Sequence, residues 1–233
     1  EVFFADDSAR EYRRFDITAR EQGTVNRMGA LAAILERQDE LIHHGLVKQL
    51  STDMAVKCQA PRVFSVSEAI AALPEGLVLV TLNLKPVAGD AFLVISLNTL
   101  SYLVHRYFGG GKTKPPSVTG RADATSSEMR VASKLTELYL QSVTNAFKEK
   151  VAFETEVIDT QNNLDALEER VATEKYLALV TDVSTPDFED VLRLFVPFES
   201  FESLEDKLAG PKQESGVSLE GEWQIRIAEQ MQD

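Results

Sequence analysis

One cysteine, Cys58, in a chain of 233 residues rules out an internal disulfide and fits a reducing compartment. Its neighbours form a strand-like run, so a small buried hydrophobe is its expected role. Positive charge is also short: 24 Lys and Arg against 37 Asp and Glu give a formal charge of -13. Binding to nucleic acid regardless of sequence comes mostly from Lys and Arg neutralising phosphates, so this balance argues against such a partner and against an anionic membrane surface. No apolar run approaches the roughly 20 residues of a spanning helix, so direct membrane insertion is not expected. No basic flank with an apolar segment opens the chain, and it begins at Glu1, which suggests a fragment or a processed chain. The histidines are three, His43, His44 and His105. Adjacent helical residues point about 100° apart, so His43 and His44 cannot grip one metal as an i, i+4 pair can. Neither metal nor cofactor is expected.

The chain does contain a repeat. Leu77-Val78-Leu79-Val80-Thr81 matches Leu177-Ala178-Leu179-Val180-Thr181, and the match runs without a gap through Pro86 with Pro186, Asp90 with Asp190 and Gly110 with Gly210. Leu31, Ala32 and Leu35 stand against Val131, Ala132 and Leu135 at the same offset. Two such long copies are too few for a solenoid and read as one domain of two related halves.

Each half shows the same order of patterns. From Met28 to about Leu50, Leu31, Ile34, Leu35, Leu41, Ile42 and Leu46 recur along one helix side, and Val131, Leu135, Leu138, Tyr139, Val143 and Phe147 do so after the capping box Thr125-Ser126-Ser127-Glu128. Val56 to Val66 is β-like, with Pro61 at an edge or bulge, and Val151, Phe153, Thr155 and Val157 alternate as its counterpart. A short helix over Ser67 to Leu73, and another near Leu164 to Arg170, precede the hairpins 77–84 with 91–95 and 176–183 with 191–197. The helices Asn98 to Phe108 and Phe201 to Leu208 follow, the first ended by Gly109-Gly110-Gly111.

The expected fold class is therefore α/β (α+β). Two helix-strand-strand-strand-helix halves, about 28–110 and 125–210, share one six-stranded, mainly antiparallel sheet covered by helices. Residues 1–27 read as an extended arm, 28–210 as the domain and 211–233 as a linker with the start of a helix carrying Trp223. From Glu199 to Asp233 nine acids face Lys207, Lys212 and Arg226, a solvated tail. Gly111-Lys112-Thr113 looks like the end of a phosphate loop, yet Arg106 stands where the upstream Gly belongs and Pro115-Pro116 forbids the following helix.

The run Ala71-Ala72-Leu73-Pro74, then Leu82-Asn83-Leu84-Lys85-Pro86-Val87-Ala88-Gly89, then Phe108-Gly109-Gly110-Gly111, resembles the middle domain of the flagellar motor switch FliM family over about residues 28–208. Glu222-Trp223-Gln224 resembles the lead-in to that family's C-terminal surface-presentation domain, which pairs with FliN and is absent here. Absent too is the N-terminal peptide that captures phosphorylated CheY, so a middle module of a longer protein is expected.

The resemblance implies a CheC-like pseudo-two-fold fold and a non-catalytic component of the cytoplasmic switch ring at the flagellar basal body. Such a component would stack beside neighbouring FliM copies, join FliG to FliN, and relay the CheY signal. Phe108, Gly109, Gly110, Gly111 and Lys112 would form the FliG-binding surface; Lys112 departs from the family's glycine. The alternative is a CheC/CheX-like phosphatase of a response regulator, whose site needs an acid or serine, a Glu four residues on and an Asn three later. Ser133 and Glu137 keep that spacing but Leu140 replaces Asn, and Glu36 and Glu40 are followed by His43. A third reading, an adaptor of a secretion-related sorting platform, would be favoured if the full-length gene lacked the N-terminal peptide.

Overall fold

The computed structural model describes residues 17–110, 117–162, 164 and 173–210. Helix α1 (Ile17–Arg27) leads into α2 (Leu31–Leu50), strands β1 (Ala55–Cys58) and β2 (Arg62–Ser65), short helix α3 (Val66–Ala71), hairpin β3 (Leu77–Lys85) and β4 (Asp90–Ser96), and α4 (Leu97–Tyr107). The second half follows as α5 (Ser126–Phe147), β5 (Glu154–Gln161), β6 (Lys175–Thr185), β7 (Phe188–Pro197) and the short helices α6 (Phe198–Glu202) and α7 (Glu205–Leu208). The short helix expected near Leu164 to Arg170 and the segment with Trp223 lie outside the described residues.

The strand order is β1-β6-β7-β4-β3-β5, all pairs antiparallel, with β2 also on β6. The six expected strand positions are there, but one is filled by two short strands, so the sheet has seven. Pro61 sits in the break, where a residue without an N–H cannot continue the ladder.

The repeat carries through the register. Leu77 pairs with Ser96 as Leu177 pairs with Val196, and Leu82 pairs with Val157 as Asp182 pairs with Lys57. Each half therefore lends its first strand to the other half's hairpin. The register slips by one residue in both places, at Ile158 on β5 and between β1 and β2.

Both faces of the hairpins are buried, as their apolar runs predict. On β3, Val78, Val80, Leu82 and Leu84 join the large core under α2 and α5, whereas Leu77 and Leu79 join a smaller cluster with Phe92, Val94, Tyr176 and Phe195 under α3. Period-two alternation sorts the side chains between the two cores. The helices α2 and α5 cross where Gly45 meets Leu138, leaving no room for a Cβ.

Several ends are set by local chemistry. The Thr125 capping box forms as predicted, with the Glu128 backbone N–H donating to Thr125 Oγ1 and the Thr125 N–H to the Glu128 carboxylate. A second box, Ser65 with Glu68, starts α3.

The extended arm expected before residue 28 is corrected over 17–27, which is helical. That segment has little apolar periodicity, and tertiary contacts hold it. Gln22 Nε2 donates to Pro61 O at 2.9 Å, Arg27 Nε to Glu205 at 2.5 Å, and Lys175 Nζ to Glu21. Among the described residues no helix is long and apolar enough to cross a membrane.

Candidate functional site

Helix α4 ends in a full Schellman motif. The Gly109 N–H donates to Arg106 O at 3.0 Å and the Gly110 N–H to His105 O at 2.8 Å. Gly109 has φ +82, the left-handed region that a Cβ disfavours. The glycines thus perform the helix stop their position predicts.

The stop does not account for Phe108, which is 71% exposed. Tyr107 meets its ring edge-on at 5.4 Å and is itself 42% exposed. Lys134 of α5 sits 4.9 Å over the Tyr107 ring. Among the described residues nothing covers this aromatic pair with its cation behind it, which leaves an exposed apolar surface. Gly111 and Lys112, the rest of the expected surface, lie outside the described residues. A Cβ on Gly110 would sit 2.2 Å from the His105 ring, so substitution there disturbs the loop as well as any interface.

The loop is anchored to the other half. Arg106 Nε donates to the Tyr102 hydroxyl at 2.9 Å, and that hydroxyl meets Thr185 Oγ1 at 3.0 Å. Arg106 Nη2 reaches Asp187 at 3.4 Å, and the Tyr102 ring stacks on Phe188 at 4.2 Å. The last turn of α4 is thereby clamped to the β6–β7 hairpin, so Phe108 stands on a rigid base. Sequence reasoning missed Tyr107, Lys134 and this clamp. Only the i, i+4 spacing of Tyr102 and Arg106 was visible, because Thr185 and Asp187 are some eighty residues away in the chain and Lys134 is 27 from Tyr107.

The phosphatase-like positions are also placed. In the second half, Ser133 and Glu137 line a groove of about 630 Å³ between α5 and β5, with Leu140 at 6% exposure in its floor. Ser133 Oγ donates back to Met129 O at 3.1 Å, and Glu137 Oε1 accepts from Gln141 Nε2 at 3.2 Å. In the first half Glu36 and Glu40 are exposed, while His43 Nδ1 donates to Met54 O at 2.7 Å and pins the turn after α2. The structure thus keeps the two candidate triads apart on separate helices.

Beneath α2 and α5 lies a buried polar group. The Tyr139 phenol faces Gln38 and Thr181, all three fully buried, and burial pushes its pKa well above the ordinary value. Burial likewise pushes the Cys58 thiol up to about 12, helped by Asp39, whose Oδ2 accepts the Cys58 N–H at 2.8 Å. A thiol so held stays protonated and unreactive at neutral pH.

The chain is thus a pseudo-symmetric α/β domain, one antiparallel sheet covered by helices, that carries an exposed aromatic pair on a clamped glycine loop. The chain belongs to the FliM family: the family described as flagellar motor switch protein FliM matches residues 24–212. It is 24% identical to the flagellar motor switch protein FliM of Escherichia coli K12 over 95% of this chain and 66% of that protein. The Salmonella typhimurium protein of the same name is also 24% identical, with 97% and 67% covered. The chain thus spans about two thirds of the length of these relatives. Its fold matches the crystal structure of the FliM middle domain from Vibrio alginolyticus at a TM-score of 0.67 and 18% identity, covering 76% of this chain and 99% of that one. It also matches a chain of the H. pylori FliG–FliM complex at 0.69 and 12%, covering 78% and 98%.

Proposed function

We propose that this chain is a non-catalytic component of the flagellar motor switch, docking FliG through the Tyr107–Phe108 surface. The observation that carries this reading is the exposure of Phe108 on a loop clamped at its base, supported by the existence of a FliG–FliM complex from H. pylori. In this reading neighbouring copies stand side by side in a ring, FliN attaches through the family's C-terminal surface-presentation domain, and phosphorylated CheY, captured mainly by the family's N-terminal peptide, biases the arrangement to reverse rotation. The ring belongs at the basal body on the cytoplasmic side.

Phe108→Ala tests the docking surface, because an exposed ring can be removed at little cost to the fold. FliG affinity measured by calorimetry should fall about 30-fold, or about 2 kcal/mol, as expected for a central aromatic anchor. The melting temperature should be unchanged. Unaltered affinity would mean that the loop only stops α4.

A phosphatase reading has one observation in its favour, the Gln141 amide beside Glu137 in the α5–β5 groove. Against it, Leu140 occupies the position of the water-holding amide and His43 is engaged with Met54 O. Phosphorylated CheY mixed with this chain should lose phosphate at its intrinsic rate. An acceleration abolished by Gln141→Ala would make the chain an enzyme.

A further inference from the structure

The two halves differ in what covers their edge strands. In the first half the outer edge of β1 and β2 is closed by the chain itself. Asp39 accepts the Cys58 N–H, and Gln22 of α1 bridges Pro61 O at 2.9 Å and the Val63 N–H at 3.3 Å. With Val25 and Asn26, Gln22 also walls a cavity of about 390 Å³ between the start of α2 and β1. In the second half the related groove between α5 and β5 is wider, about 630 Å³, and no described helix lies across it. The edge strand there exposes Val157 at 47% and Ile158 at 42%.

The groove holds a polar group with no partner. Thr136 is 3% exposed and lines the groove, yet its Oγ1 makes no hydrogen bond. A buried hydroxyl left unpaired costs stability, so its retention points to an acceptor or donor brought from outside. Around it lie Leu140 and Val157 as apolar floor, Thr155 and Asn145 as neutral hydrogen-bonding groups, and Glu137 as the only charged lining residue among the described residues.

We propose that the α5–β5 groove docks an amphipathic helix of a partner protein, with an apolar stripe flanked by amide side chains and a Lys or Arg facing Glu137. The helical choice rests on two features. The related groove is already walled by a helix, α1, which lines it with Val25 between Gln22 and Asn26. On β5, Val157 pairs with Leu82 and Asp159 with Thr81, leaving Ile158 as a bulge that twists the edge and hinders an added strand. This inference is independent of the FliG reading, since Phe108 does not line the groove.

A phage library displaying helical peptides, selected on the whole chain, tests it. Enriched clones should be amphipathic helices carrying amides and a cation, and Val157→Glu should weaken them about tenfold or more. Thr136→Val should weaken them several-fold while leaving the melting temperature equal or higher, because removing an unpaired hydroxyl spares the fold a desolvated group. Phe108→Ala should leave them unchanged. The proposal is overturned if no helical clone enriches, if clones bind the Val157→Glu and Thr136→Val variants as they bind the parent, or if only extended peptides are selected.

Discussion

Arg121→Ala is expected to destabilise the domain by about 3 kcal/mol at neutral pH, the low end of the cost of stranding one partner of a buried ion pair. Glu128 is 3% exposed and receives Arg121 Nη1 at 3.2 Å and Nη2 at 2.5 Å, in addition to the capping bonds from Thr125. Arg121 keeps 30% side-chain exposure, so water screens part of the attraction and the low end applies. Burial alone would raise the Glu128 pKa, but Arg121 and Thr125 outweigh it and hold the carboxyl below its ordinary value of 4.5. A carboxylate depressed in the folded state adds stability that is fully present above that value and is lost as pH falls through its folded pKa. The parent should therefore weaken on acidification below about pH 4.5, whereas the deficit of Arg121→Ala should shrink there, because its stranded carboxyl protonates. Urea unfolding at pH 7 and pH 4 measures both. A cost under about 1 kcal/mol at pH 7 would mean the pair behaves as a surface salt bridge.

Gly45→Val should cost about 3 kcal/mol, the upper part of the range for overpacking a core. In an exposed helix, replacing glycine usually stabilises by up to about 1 kcal/mol, so the sign here is decided by packing. A Cβ at residue 45 would lie 2.6 Å from both Cγ and Cδ1 of Leu138, itself 2% exposed in the α2–α5 contact. Neither helix can retreat freely, since each is seated on the sheet. Leu138→Ala alone should also cost about 3 kcal/mol through the cavity it opens. Combined, the two should recover at least about 1 kcal/mol relative to their sum, because the new methyl groups fill the space the leucine vacates. Additive costs in a denaturant double-mutant cycle would show that Gly45 is not the point of closest approach.

Much of the local structure was legible beforehand because it depends on neighbours within four residues. The apolar spacing along α2 and α5, the Thr125 capping box, the glycine stop after Phe108 and the two hairpins each follow from such spacing, and each forms as expected. The offset of one hundred residues between the halves was likewise written in the chain, and it extends to the hairpin registers and the one-residue slip on each edge.

Tertiary structure decided the rest, because pairing across long separations leaves no local trace. The exchange of first strands between halves is one instance: β1 lies on β6 and β5 on β3, pairings between residues far apart in the chain that no local pattern records. Helix α1 is another, since its few apolar residues gave no helical stripe and its hold comes from Pro61, Lys175 and Glu205. The helical period that places Phe108 in line with Leu100 and Val104 could not tell that its ring stands in water, 71% exposed, while Tyr102 is pressed between Arg106 and Phe188. Sequence by itself determined most of the elements, their repetition and the family. Which edges stay open, which polar atoms are left unpaired and which aromatic ring meets solvent were fixed only when distant segments packed, because burial depends on every neighbour in space and periodicity records only those along the chain.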